Sequence, residues 1–363
     1  MVNIFLKEMK MSKVSILVPI YNMSKLLRKC LDSCVNQTLK DIEIICINDG
    51  STDNSLEIVK EYAAKDSRIV IVDKPNTGYG NSMNIGLDKA TGEYIGIVES
   101  DDWVRLNMFE TLYNKAKEND LDFIKADYTR FIGVGKTYEE FYTALDIKNQ
   151  YYNKVLNPKE NLDLFELVMS NWAGIYKREF IQNNNIRHNE TPGASFQDTG
   201  FWFQAFALAN RVMFINEPFY MYKADNTTSS RRNKEKVFCI FEEYKYIYDF
   251  LIRTDLKDKL IKVFNYRKFR TYMNDYIRIA PEFRKSFLER MRDELVEAYQ
   301  NNEIDLSMFS KKEYKDFTLM KNHKWLFYIQ RELMFALWKA IKLEIYGRYN
   351  VRMTLFGMKI KVR

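Results

Sequence analysis

The chain has 363 residues, 46% hydrophobic and 29% charged, which is ordinary for a globular protein and long enough for more than one domain. Its net charge of +7 is uneven: residues 231–363 hold 30 Lys+Arg against 18 Asp+Glu, residues 1–230 hold 26 against 31, so the C-terminal part suits an anionic surface, membrane lipid or nucleic acid. Four scattered cysteines exclude a disulfide framework, and no apolar run approaches the roughly 18–20 residues of a membrane span, so the expected compartment is the cytoplasm, at or near the inner membrane face.

In chain order, Val14 to Val18 is a short apolar run before Pro19 and reads as a buried strand. Ser24 can cap a helix carrying Leu26, Leu27, Cys30, Leu31 and Cys34 at helical spacing, with the two cysteines as buried thiols. Ile42 to Ile47 is a second strand, and Asp53 or Ser55 opens a helix through Ile58, Val59 and Tyr62. Ile69 to Val72, Tyr79 to Lys89 and Tyr94 to Val98 continue as strand, helix and strand. Four such alternations predict an α/β fold with a mostly parallel sheet and helices on both faces, and such sheets bind ligands beyond the carboxyl ends of their strands.

From about residue 106 to 230 the pattern loosens into aromatics, loops and a Thr191-Pro192-Gly193 turn. From 231 helical spacing returns and Gly and Pro become rare. The expected organisation is therefore a ligand-binding half over 1–105, a second half of the same domain over 106–230, and a basic helical domain over 231–363.

Polar residues cluster at the strand ends. After the second strand, Asn48-Asp49-Gly50-Ser51-Thr52-Asp53 puts a carboxylate where it can accept a ring N–H such as that of uracil; a plain turn and helix cap explains the same residues. After the fourth, Glu99-Ser100-Asp101-Asp102-Trp103 places three carboxylates in four residues. These repel one another unless a cation sits between them, and Mg²⁺ or Mn²⁺ with substrate phosphates fits that need; the bland alternative is a solvated acidic loop. Lys74-Pro75-Asn76-Thr77-Gly78-Tyr79-Gly80 follows the third strand, and no G-x-G-x-x-G follows the first, which argues against a dinucleotide-binding dehydrogenase.

The segments VSILVPIYN (14–22), NQTLKDIEIICINDGSTDNS (36–55), NTGYGNSMNIGL (76–87) and GEYIGIVESDDW (92–103) resemble, in order and spacing, the family 2 glycosyltransferases of the GT-A fold. The resemblance continues more weakly through NWAGIYKREFI (171–181) and GASFQDTGFWFQ (193–204). It implies a Rossmann-like GT-A domain, a nucleotide-sugar donor (UDP first among the candidates), Mn²⁺ or Mg²⁺, inversion at the anomeric carbon, and a saccharide or lipid-linked acceptor in surface-glycan synthesis. By the same resemblance Pro19 and Tyr21 would line the nucleotide pocket and Asp49 would accept the uracil N3–H. Asp101 and Asp102 would form the acidic pair with Glu99 beside them, Asp102 being the direct metal ligand. Asn76, Gly78 and Asn84 would lie near the nucleotide and donor sugar, and Asp198 would be the general base. Two departures stand out: Met83 where many members have Arg, and Gln197 where many have Glu. An inactive scaffold that binds sugar nucleotides or membranes is the alternative.

Trp172, Phe196 and Trp202 are candidate platforms for acceptor rings, against simple core packing. His188 is either a contact to the diphosphate or metal, or a surface-loop histidine. Residues 321–363 hold 10 Lys+Arg and 2 Asp+Glu. Leu326, Ile329, Leu333, Leu337, Ile341 and Ile345 fall near one helical face, Lys339, Lys342 and Arg348 lie off it, and Trp325 and Trp338 are candidate interfacial aromatics. This pattern suits an anionic membrane surface or a helix packed on its own domain; nucleic acid is not expected, since no recognised motif accompanies the charge.

Overall fold

All seven residues of strand β1 (Val14–Ile20) are buried, which is why the sequence there is an unbroken apolar run. In this computed structural model, which describes residues 11–134, 137–167, 170–224, 236–346, 350–355 and 358–362, β1 lies at the centre of a parallel array. It pairs with β2 (Ile42–Asp49) from Val14↔Ile42 to Ile20↔Asn48, and with β4 (Tyr94–Ile97) from Val14↔Tyr94 to Leu17↔Ile97. The β4 pairing stops at Leu17, so Pro19 extends the strand where only β2 is a neighbour. β3 (Ile69–Lys74) joins the far edge of β2. Helices α1 (Leu27–Val35), α2 (Ser55–Ala63) and α3 (Tyr79–Lys89) connect these strands, and α1 buries Leu27, Cys30, Leu31 and Cys34, as the spacing predicts.

The second half of the sheet is mixed. Beyond β4 the order runs to β8 (Gly174–Lys177), β6 (Phe123–Val134), β9 (Val212–Lys223) and β5 (Trp103–Val104), with β7 (Thr137–Thr143) hairpinned on β6. β8 is antiparallel to both β4 and β6, while β6 and β9 are parallel. Helices α4 (Met108–Glu118), α5 (Arg178–Asn183) and α6 (Gln197–Leu208) flank this half. Phe123, Phe165, Trp202, Phe206 and Phe214 form one buried aromatic cluster, which accounts for the aromatic loops of the sequence.

This first compact unit extends to Leu260, past the boundary expected at residue 230, and includes α7 (Cys239–Arg253). α7 presents Ile240, Tyr244, Ile247 and Leu251 as buried residues, the pattern of a helix packed on a core.

The second unit begins at Ile261, within α8 (Lys257–Arg278), and continues through α9 (Pro281–Gln300), α10 (Lys311–Asn322) and α11 (Lys324–Ala340). Its core includes Phe269, Tyr272, Phe287, Phe317, Met320 and Phe327, and Ser310 and Glu313 form a capping box on α10. The helix ends earlier than expected. Ile341 and Ile345 lie in strand β10 (Ile341–Tyr346), paired with β11 (Asn350–Leu355), which pairs in turn with β12 (Met358–Val362). The alternation Ile341, Leu343, Ile345 against Lys342 and Glu344 has a period of two, which a helical projection conceals. Arg348, and the side chains beyond Leu337, lie outside the described residues. No helix among the described residues is long and apolar enough to cross a membrane.

Candidate active site

Asp49, at the end of β2, is buried and knits the next strand end to its own. Its carboxylate accepts the backbone N–H groups of Thr77 (2.8 Å) and Gly78 (3.0 Å) and pairs with the Lys74 ammonium. Asn76 returns a hydrogen bond from Nδ2 to the Asp49 carbonyl (3.0 Å). Gly78 adopts φ +96°, a conformation that favours glycine, directly before α3. Pro19 is buried in β1, whereas Tyr21 is 48% exposed beyond the end of that strand. Asp53 joins the first two strand ends through the N–H groups of Ser24 and Ser55 (2.9 and 3.0 Å). Burial opposes its charge, but these hydrogen bonds hold the carboxyl down at about 2.

The carboxylates after β4 separate by environment. Asp102, expected as the direct metal ligand, is turned inward and 2% exposed. Its oxygens accept the Tyr220 hydroxyl (2.9 Å) and the Lys223 backbone N–H (2.7 Å). Burial, then the Asp101 charge, push its carboxyl well up. Asp101 is half-buried and is the aspartate of the pair with solvent access. Glu99 accepts the Tyr79 hydroxyl at 2.7 Å. Burial raises its carboxyl to about 8 against that hydrogen bond, with the Asp101 and Asp198 charges adding to the rise. A cation beside Asp101 would relieve this crowding, so the donor set fits Mg²⁺ or Mn²⁺. No three His, Cys, Asp or Glu residues among those described converge as a closed metal cage. Such an ion would therefore depend on phosphate oxygens for the rest of its shell.

Asp198 lies in the first turn of α6, half-buried, after Phe196 in a left-handed conformation (φ +62°). A non-glycine residue held there is strained. The charge of Asp198 acts on Glu99, Tyr79, Tyr176, Lys125 and Glu243, so the fold brings it into the electrostatic reach of the acidic strand end, about a hundred residues earlier in the chain. Lys125 is buried on β6 and donates to the Ser170 carbonyl and hydroxyl; burial lowers its ammonium to about 7 against the favourable Asp198 charge.

Two expectations about donor contacts change. Asn84 is buried and spends its amide on the 188–190 segment, donating to the His188 carbonyl and Glu190 Oε1 (both 2.9 Å) and accepting the His188 N–H (2.9 Å). It therefore anchors that segment to α3 and does not face a donor. His188 is neither a surface-loop residue nor a diphosphate contact: it is 2% exposed and stacks on Phe201 with centroids 4.4 Å apart. Burial, then the Arg187 charge, lower its imidazole to about 3, which keeps it neutral. Met83 is buried, so the position that carries Arg in many members has turned into core.

Among the aromatic candidates, Trp202 is 1% exposed and belongs to the core cluster, stacked on Phe206; it cannot meet an acceptor. Trp172 is half-buried and stacks on Tyr220 (4.6 Å) and Tyr222 (5.3 Å), beside the left-handed Ala173 (φ +57°). Phe196 is half-buried as well. Residues that sequence reasoning missed are Tyr79, Tyr220, Asn171 and Glu243. Tyr79 donates its hydroxyl to Glu99, accepts Asn171 Nδ2 (2.8 Å) and donates its N–H to the Gly193 carbonyl (3.0 Å). Only its place next to Gly78 could have pointed to it.

The sequence model of Glycosyl transferase family 2 matches residues 15–194. Glycosyltransferase GlyG of Streptococcus pneumoniae is 33% identical over 218 residues, 58% of this chain and 70% of that protein. The chain belongs to glycosyltransferase family 2. Glycosyltransferase GlyA of S. pneumoniae is 33% identical over 235 residues and the uncharacterized glycosyltransferase EpsJ of Bacillus subtilis 34% over 216, covering 62% and 58% of this family 2 chain. The chain spans 32% of the length of GlyA and 60% of that of EpsJ. The crystal structure of S. aureus TarS 1–349 in complex with UDP superposes with a TM-score of 0.66 at 18% identity, covering 96% of this chain and 98% of that one. The same TarS fragment in complex with UDP-GlcNAc gives 0.62 at 15% identity, covering 97% and 99%. The fold is that of GT-A glycosyltransferases.

Proposed function

We propose that this family 2 protein is an inverting, metal-dependent glycosyltransferase, with a UDP-sugar as donor and a saccharide or lipid-linked acceptor in cell-surface glycan synthesis. The observation that carries the reading is that the charge of Asp198 reaches Glu99 at the acidic strand end, so that a candidate base and a candidate diphosphate site share one electrostatic environment. The complexes of TarS with UDP and with UDP-GlcNAc support the choice of donor class. In this reading Tyr21 offers a ring face to the base. The Asp49 carboxylate has about four acceptor positions, of which Lys74, Thr77 and Gly78 take three, leaving one for a ring N–H. Asn76 and Gly78 hold the turn that Asp49 closes, and Asp101 replaces Asp102 as the direct metal ligand. When bound, the ion would offset negative charge on the leaving diphosphate. Asp198 takes the acceptor hydroxyl proton as that oxygen attacks, and Trp172 and Phe196 border the acceptor. With one base and no covalent nucleophile, attack from the opposite face inverts the anomeric centre. The inactive-scaffold alternative has no observation in its favour.

A membrane-surface contact belongs to the same proposal. On α11, Trp325, Leu326, Ile329, Leu333 and Leu337 are exposed, in a segment with a strong excess of cations. Co-sedimentation with anionic but not neutral vesicles, lost in Ile329→Glu/Leu333→Glu, is the expected result; equal recovery with both vesicle types would remove this part.

The function itself is tested with a panel of UDP-sugars, with and without Mn²⁺, beside Asp101→Ala. Metal-dependent release of UDP from one sugar, lost in the variant, supports the reading. Absence of both release and metal-dependent UDP binding would overturn it.

A further inference from the structure

Glu243 is an acidic side chain buried inside the first unit, hydrogen-bonded to Gly200 and Asn189 and with no place in the chemistry described so far. It projects from α7, and its two oxygens serve two different segments. Oε1 accepts the backbone N–H of Gly200 at 2.9 Å, and Oε2 accepts Asn189 Nδ2 at 3.0 Å. Gly200 lies in the first turn of α6, two residues after Asp198. Phe196, at the cap position of that helix, makes no side-chain cap hydrogen bond, so Glu243 gives the turn a side-chain acceptor from another helix.

The approach is close enough to dictate residue types. A methyl group on Gly200 would overlap Glu243 Oε1, and a methyl on Gly80 would overlap the carbonyl oxygen of Asn189. Gly80 sits in the first turn of α3, beside Tyr79, which holds Glu99, and Gly78, which is held by Asp49. Contacts therefore run without a break from the Asp49 turn through Gly80, Asn189 and Glu243 to Gly200 and the base-bearing turn. Tyr79 and Gln197 brace the same segment: the Tyr79 N–H donates to the Gly193 carbonyl (3.0 Å), and Gln197 Nε2 donates to Thr191 Oγ1 (2.9 Å) and to the Gly193 carbonyl (3.1 Å).

We propose that Glu243 is a positioning residue for the transfer reaction, fixing the Asp198 turn against the 188–193 segment and, through it, against the donor-side turn. The inference rests on the reading of Asp198 as the base. Burial raises the Glu243 carboxyl to about 8; the Asn189 hydrogen bond works against this rise and the Asp198 charge adds to it. Glutamine is the near-isostere of the protonated form. A glutamine carbonyl can accept from Gly200, and its NH₂ can donate to an Asn189 amide turned by half a revolution.

The test compares Glu243→Leu, Glu243→Gln and Asn189→Ala in the full chain, each in wild-type and Asp198→Asn backgrounds, with UDP·Mn²⁺ affinity measured beside kcat. Glu243→Leu is expected to lower kcat by about 10²-fold, the usual cost of a displaced catalytic group, with UDP·Mn²⁺ affinity unchanged. Glu243→Gln should return kcat to near the wild-type value, and Asn189→Ala, which removes one contact and spares the fold, should give a partial loss. In the Asp198→Asn background Glu243→Leu should add no further loss. Wild-type kcat in both Glu243→Leu and Asn189→Ala, or an equal loss in both backgrounds, would overturn the inference. If Asp198→Asn alone kept full turnover, the assignment of the base would fail instead, which is a separate result.

Discussion

The two halves of the first unit's sheet hold their functional groups by different means. In the parallel half, each strand hands its polar residues to the same edge: Asp49 closes β2, and Asn76 and Asp101 lie in the turns just after β3 and β4. Neighbouring turns tie these positions together, as when Asp49 gathers Thr77 and Gly78. In the mixed half, Asp198 stands on a helix whose first turn is held by Glu243 and whose electrostatic surroundings come from Lys125 and Glu99. Parallel strands repeat one geometry, so sites at their ends come with the topology. A site at a helix start in a mixed sheet has to be held by packing from several distant segments.

Asp198→Asn should give the largest effect, a fall in turnover of about 10²–10⁴-fold with UDP binding intact, read from steady-state kinetics beside calorimetry. Asp101→Ala should lower turnover by several kcal/mol of lost charge stabilisation, about 10²-fold or more, and remove the Mn²⁺ dependence of UDP binding. The tryptophans divide the mixed half further. Trp202→Ala should cost about 3–5 kcal/mol of stability as a core truncation, while Trp172→Ala should raise the acceptor KM about tenfold, in line with the loss of one ring contact. Thermal melts and acceptor titrations separate the two outcomes.

The smallest effect concerns pH. Glu243 keeps its proton in the folded chain up to about 8, whereas its ordinary value is 4.5. Between those values the folded state binds more protons than the unfolded one, so the contribution of this group to stability declines as pH rises from 4.5 through 8. Glu243→Gln removes that decline. Its melting temperature should therefore gain on the wild type between pH 5 and pH 8, by about 2–4 °C for each kcal/mol recovered.

The parallel half was legible from the sequence because buried strands and amphipathic helices have distinct periods there, down to the bounds of α3. The clustering of polar residues at its strand ends was legible too, but the sequence could not tell which carboxylate of Asp101 and Asp102 faces inward. That depends on Tyr220 and Lys223, more than a hundred residues away. In the mixed half Asp198 was singled out only through a resemblance, and nothing local marked Glu243, an ordinary glutamate on an amphipathic helix. Asn84 and His188 were misplaced for the same reason: their partners are each other's segments, brought together by the fold. At the C-terminus a period of two in isoleucines that also fit a helical face concealed β10.

The central claim is that donor and metal are held by the parallel half and the proton is taken by the mixed half. The most direct measurement is calorimetric titration of UDP into wild type, Asp101→Ala and Asp198→Asn, each with and without Mn²⁺. The account predicts that Asp198→Asn binds UDP·Mn²⁺ as the wild type does, while Asp101→Ala loses the metal-dependent part of the affinity. Loss of that part in Asp198→Asn, or its survival in Asp101→Ala, would contradict it.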